Sequence, residues 1–277
     1  MKPTLVSRGK LIPAESAGEH VEAEREDERP EGPAPLLQEV KPTAEALAAH
    51  TRIVGVRPLH LENERVLPPG AAGVHGVPYK MLRTQVLRRL EKLGVNSLAV
   101  VGAAADTGKT LTAINLAIAI AADPEHTSLL IDLDLRKPSI HRRFGIEPEV
   151  GIDDCLRRAR PVRDAMVRLE GYERFVVLPA RERSVDSSEL LSTRRIEEMI
   201  LEMRARYHDR VLVFDLPPVL EADDALAFAR HVQAVLVVVG EGRTRRDDLL
   251  RTIEMLRDVP IIGTVLNGTR EPVKTYY

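Results

Sequence analysis

Six short apolar runs most constrain how this chain can fold: Leu98 to Val101, Leu129 to Ile131, Phe175 to Leu178, Val211 to Phe214, Val235 to Val239, and Ile261 to Leu266. None alternates with polar residues as a strand with one wet face would, so each reads as a strand buried on both sides. Segments of helical period separate them. Tyr79, Leu82, Val86, Leu90 and Leu93 recur at three or four residues and stop at Gly94, the pattern of an amphipathic helix. Thr110 to Ala121, Ser188 to Tyr207, Ala222 to Arg230 and Arg245 to Leu256 are further helical candidates. Strand and helix in alternation predict an α/β fold with a doubly wound, mostly parallel sheet that binds ligands at the carboxyl ends of its strands.

Ahead of this pattern the sequence changes character. Glu15 to Glu31 is dense in Glu, Asp and Ala, and Pro30, Pro33 and Pro35 follow closely. Such a stretch has too few apolar residues to offset the entropy of ordering, which predicts a disordered N-terminal arm. Thr51 to Val56 could add a short strand, and Pro68 to Gly76 is rich in Pro and Gly. The expected division is an arm over 1–77, a domain over 78–270 and a tail over 271–277.

Composition removes several classes. A single cysteine, Cys155, rules out a disulfide framework and suits a reducing cytosol. No apolar run approaches the ~18 residues that span a bilayer, and Met1 to Pro13 has no secretory apolar core. The expectation is a cytoplasmic protein. A net charge of −2 argues against nucleic-acid binding by bulk basicity, and the scarcity of aromatics argues against base-stacking platforms.

The first apolar run leads into "AAADTGKT", which fits a phosphate-binding loop of the form [AG]-x4-G-K-[ST] with Ala103, Gly108, Lys109 and Thr110. Between strand and helix, the backbone amides of Ala105, Asp106, Thr107, Gly108, Lys109, Thr110 and Leu111 are candidates to cradle phosphate oxygens. Lys109 would reach the β and γ phosphates, and Thr110 would offer a hydroxyl to Mg²⁺. The second run ends in "LLIDLDLRKP", placing Asp132 and Asp134 two apart and so on one face of a strand. Two adjacent carboxylates repel unless a cation relieves them; the alternative is a solvated strand end with Arg136 and Lys137 balancing the charge. Asp215 closes "VLVFDLPP", where alone it would read equally as a cap before Pro217 and Pro218. Together, three strand-end acids and a phosphate loop make a joint Mg²⁺–nucleotide site.

In this order, "AAADTGKT", "LLIDLDLRKPSIHRRFG" and "VLVFDLPP" resemble the Walker A, A′ and B motifs of the bacterial tyrosine kinases of capsule and exopolysaccharide loci. The similarity continues through "SSELLSTRRIEEMI", "EADDALAFA" and "GTVLN", covering roughly Tyr79 to Asn267. The resemblance implies a P-loop NTPase fold of the deviant-Walker, ParA/MinD-like group, with ATP and Mg²⁺ as cofactors. It implies a catalytic set of Lys109, Asp132, Asp134 and Asp215. Thr110, Asp132 and Asp215 would serve the metal, and Asp134 would orient or deprotonate the incoming tyrosine hydroxyl. The phosphoacceptors would be Tyr276 and Tyr277 of the terminal "KTYY". The implied partner is a transmembrane polysaccharide co-polymerase that activates the kinase and holds it at the inner membrane. The family's ring-forming Glu-x2-Arg-x2-Arg motif falls on Val77, Lys80 and Arg83, so a homo-oligomer would lack half of an intersubunit charge pair.

Two other readings stand beside this one. A nucleotide-switch ATPase that dimerises on ATP would carry a signature lysine where this chain has Ala104. A catalytically weak, ATP-binding adaptor for an export protein would suit the altered loop, in which Asp106 must turn away from phosphate.

Overall fold

The computed structural model describes residues 51–71, 75–206 and 210–269. Within them eight strands form one sheet: β1 (Arg52–Val54), β2 (Ser97–Gly102), β3 (Thr127–Asp132), β4 (Val167–Leu169), β5 (Phe175–Leu178), β6 (Arg210–Asp215), β7 (Val235–Gly240) and β8 (Ile261–Asn267). Their order across the sheet is β1-β4-β5-β3-β6-β2-β7-β8. From β5 to β8 all neighbours are parallel, while β4 runs antiparallel to β5 and carries β1 parallel beside it. The chain leaves β2 towards β3 on one side and leaves β6 towards β7 on the other. Those departures open a crevice at the carboxyl ends of the central strands, where doubly wound sheets bind ligands.

The helices are α1 (Pro58–Asn63), α2 (Gly76–Leu93), α3 (Lys109–Ala121), α4 (Ile140–Phe144), α5 (Ile152–Arg158), α6 (Val162–Ala165), α7 (Ser187–Leu191), α8 (Arg194–Arg206), α9 (Asp224–Ala229) and α10 (Arg246–Met255). They cover both faces of the sheet because successive strand residues point to opposite sides. Val100, Leu130, Val213 and Leu236 share one core with Val86 of α2 and with Ile114 and Ile118 of α3. Val101, Ile131, Phe214 and Val237 meet Met199 and Met203 of α8 and Phe228 of α9 on the other. The Phe214 and Phe228 rings cross edge-on at 5.0 Å. Helix α3 is buried from Thr112 to Ile120, which explains why its sequence is apolar all round rather than striped.

Three elements depart from the sequence expectation. The folded unit starts before residue 78: β1 pairs with β4, and Leu61, Val66, Leu67 and Ala71 lie in the same core as α3. Glu62, Glu64 and Arg65 interrupt those apolar residues, so the segment shows no period. The single helix expected from Ser188 breaks at Ser192 and Thr193. Their hydroxyls bond back to the carbonyls of Ser188 and Leu190, a competition that commonly ends or bends helices. Strand β4 was not anticipated, since three residues with a central Arg168 carry no apolar run. The acidic arm and the terminal tyrosine pair lie outside the described residues.

Candidate functional site

The loop after β2 closes into a helix N-terminus at Gly108, whose φ of 87° lies in the left-handed region that glycine tolerates. Gly108 has a second constraint: a Cβ there would collide with the Asn267 side chain. That asparagine, at the end of β8, donates from Nδ2 to the Thr107 carbonyl at 3.0 Å and braces the loop from below. Arg243 braces it from outside, donating to the Asp106 carbonyl at 2.9 Å. Asp106 takes a φ of 58°, is exposed and lies on the rim of the cavity that this loop lines. One loop amide already holds an anion: the Ala105 N–H donates to Glu221 Oε1 at 2.6 Å.

Lys109 and the three acids converge as the motif order predicted, but at different depths. Lys109 Nζ lies 2.8 Å from Asp134 Oδ2 and 3.9 Å from Asp215 Oδ1. Burial opposes its charge, yet Asp215 and Asp134 outweigh that and raise its pKa. Asp134 lines the cavity, and its Oδ1 also accepts the Lys137 amide at 3.0 Å. Asp132 lies behind, with no exposure. Its Oδ1 accepts the Asp134 amide at 3.2 Å, while its Oδ2 accepts the Ser139 and Ile140 amides, each at 3.1 Å, at the start of α4. Asp215 stands opposite Asp132 in the β3–β6 register and is equally buried; its carboxylate makes no close hydrogen bond, with the Thr110 hydroxyl and Lys109 its nearest polar neighbours. Burial, reinforced by the Asp215 charge, pushes Asp132 well above the usual carboxylate range. Burial likewise lifts Asp215 to about 6 although Lys109 pulls the other way.

This arrangement fits a divalent cation. Burial and mutual repulsion hold protons on the paired Asp132 and Asp215, and a cation beside Lys109 would let both ionise. Mg²⁺ keeps several waters and is held by only one or two carboxylates, which is what this acid pair can supply. Thr110, at the first turn of α3, lines the cavity above the acid pair.

The cavity has a volume of about 1010 Å³. Ala105 to Leu111 and Asp134 line it, so the expected phosphate loop and one A′ acid share a wall. Several lining residues escaped sequence reasoning: Asn63, Glu64 and Arg65 from the N-terminal segment, Arg183 after β5, Glu221 after β6 and Arg243 after β7. Asn267 alone had a signal, as the polar residue closing an apolar strand. Arg136 does not balance the A′ acids. It bonds Asp224 at 2.6 Å and Asp223 at 2.9 Å, tying the end of β3 to α9.

Comparison with known proteins agrees with this geometry. A family model described as ParA, NUBPL iron-transfer P-loop NTPase, matches residues 95–271. Tyrosine-protein kinase YwqD of Bacillus subtilis is 28% identical over 194 residues, which cover 69% of this chain and 80% of YwqD. Tyrosine-protein kinase etk of Escherichia coli is 29% identical over 211 residues, 76% of this chain but 28% of that longer protein. The solved kinase domain of ETK matches with a TM-score of 0.65 at 27% identity, covering 72% of this chain and 77% of that one. The MinD protein of Pyrococcus horikoshii, solved with Mg-ADP, shares the fold at a TM-score of 0.53 and 20% identity, over 62% of this chain and 69% of its own. The family match, the phosphate loop and the strand-end acids place the chain in the ParA-type P-loop NTPase family, in which its relatives YwqD and etk are tyrosine-protein kinases.

Proposed function

We propose that this chain is an ATP-dependent tyrosine autokinase that regulates polysaccharide polymerisation and export, with Tyr276 and Tyr277 as its acceptors. The observation that carries this reading is the buried Lys109–Asp134 contact at 2.8 Å, with the Asp132–Asp215 pair beneath it. Phosphoryl transfer needs positioning and charge neutralisation more than covalent chemistry. The loop amides and Lys109 would bind the β and γ phosphates, while Thr110 with Asp132 and Asp215 would hold Mg²⁺. Bound there, the ion would neutralise phosphate oxygens. Lys109 cannot serve the phosphates and remain paired with Asp134, so nucleotide entry frees that carboxylate. Asp134 then faces the cavity as the group that accepts the proton of a tyrosine hydroxyl, whose pKa of about 10 makes such help useful. Tyr172 is a poor acceptor, because it is buried and donates to the Leu67 carbonyl at 2.8 Å.

Among the described residues no helix is long and apolar enough to cross a membrane. In this reading a transmembrane co-polymerase supplies the membrane attachment and activates the site. The test is phosphotyrosine mapped on the full chain after incubation with Mg-ATP, with and without that partner's cytoplasmic segment. Label on Tyr276 or Tyr277 that vanishes in Lys109→Ala is expected, and no label under either condition overturns the proposal.

The family match also favours a second reading, a nucleotide switch that hydrolyses ATP on dimerising. ATP-dependent dimers and hydrolysis without phosphotyrosine would support it. The iron transfer named in the family description is less suited to this chain. Its only cysteine, Cys155, is buried with its thiol pushed to about 11, whereas a metal ligand must be a thiolate.

A further inference from the structure

Three helices end on the same hydrogen-bonded turn, in which the residue after the cap takes a left-handed conformation and the next amide reaches back to the fifth carbonyl before it. At the end of α2, Gly94 takes a φ of 66° and the Val95 amide bonds the Leu90 carbonyl at 3.0 Å. At the end of α4, Gly145 takes 65° and the Ile146 amide bonds the His141 carbonyl at 3.0 Å. At the end of α1, the Val66 amide bonds the Leu61 carbonyl at 2.8 Å, but the left-handed residue is Arg65, with a φ of 58°. Glycine is the default there because every other side chain is strained. Glycine serves two of these three turns and arginine the third; Ala159 takes the same conformation after α5, without a charge to offer.

The arginine is also held in place. Its carbonyl accepts from Asn115 Nδ2 at 3.0 Å, and the Oδ1 of the same asparagine accepts the Leu67 amide at 2.9 Å. Asn115 lies one helical turn after Leu111 on α3, so the clamp fixes Arg65 beside the end of the helix that carries the phosphate loop. Next to it, Glu64 Oε2 pairs with Arg143 at 2.7 Å, and His60 Nε2 contacts the Arg142 carbonyl at 3.0 Å, joining the same segment to α4. Arg65 lines the cavity and is exposed, and its guanidinium has no ion pair among the described residues.

A strained residue that neighbouring contacts hold at the rim of a site, with a free charge facing the cavity, has the form of a ligand contact. We infer that Arg65 is a nucleotide-binding residue: its guanidinium pairs with the phosphate chain, and Asn115 is its positioning residue. The inference rests on the nucleotide reading given above and extends the site to the segment ahead of the phosphate loop.

Arg65→Gly separates the two roles of this position, because glycine relieves the backbone while removing the cation. The measurement is calorimetric titration of Mg-ADP into the full chain, alongside thermal unfolding of the nucleotide-free protein. The variant should bind about tenfold more weakly, as expected for a lost charge-assisted bond. Its unfolding midpoint should hold or rise, and the affinity gap should shrink as salt is raised. Arg65→Gln repeats the test should glycine disturb the turn, and Arg88→Ala on the exposed face of α2 serves as the charge control. Equal affinity of wild type and both Arg65 variants would overturn the inference while leaving the nucleotide reading intact. No binding by the wild-type chain would overturn both.

Discussion

Asp215 is excluded from solvent and its carboxylate makes no close hydrogen bond, a condition that costs folding free energy wherever the group is ionised. Its pKa of about 6 lies above the ~3.9 of an unfolded aspartate. Between those values the native state keeps a proton that the unfolded chain has released. The stability this contributes is therefore full below about pH 4 and lost as pH rises through about 6. Asp215→Asn should flatten that slope and raise stability at neutral pH by roughly 2 kcal/mol, a few degrees of melting temperature, while removing stabilisation by Mg-ADP. Unfolding curves at several pH values check both signs. Glu221 makes an opposite kind of prediction, since its carboxylate occupies the Ala105 amide that a phosphate oxygen would need. Glu221→Gln should tighten Mg-nucleotide binding by about three- to tenfold in calorimetry. The two residues also mark what was legible in the sequence. Asp132, Asp134 and Asp215 could be found because acids that close apolar runs break an otherwise uniform pattern. Glu221 and Arg65 could not, because each is an ordinary charge in a polar stretch whose meaning depends on a distant backbone group.

At the scale of elements, the six parallel strands were readable because burial on both faces demands continuous apolar residues. Strand β1 was legible only as a short run over Thr51 to Val56, and β4 was not legible at all, since short strands at the margin of a sheet need little apolar content. The N-terminal segment was hidden for a related reason. Asn115 and Tyr172 hold it through backbone groups around Leu67, and such bonds do not depend on which side chains the segment carries. The Arg136 bridge is an element-level contact, since it joins the loop after β3 to α9 through Asp224, which has no exposure of its own. Arg136→Ala should leave that carboxylate buried and uncompensated. The expected cost is about 2 kcal/mol in denaturant unfolding, below the usual range for a fully buried pair because Arg136 itself is 39% exposed.

For the molecule as a whole, the fold places its chemistry where the connections from β2 and β6 part. A phosphate loop, two buried acids and one cavity-facing acid come together there from distant parts of the chain. In the proposed mechanism Lys109 and Asp134 are partners that nucleotide separates, the lysine going to phosphate and the carboxylate to the acceptor hydroxyl. Phosphotyrosine per chain in Asp134→Asn, measured at saturating Mg-ATP beside its nucleotide affinity, decides whether nucleotide does so. Nucleotide should bind as tightly as to wild type or more tightly, with transfer slowed by at least about a hundredfold. Transfer at the wild-type rate by that variant would contradict the mechanism.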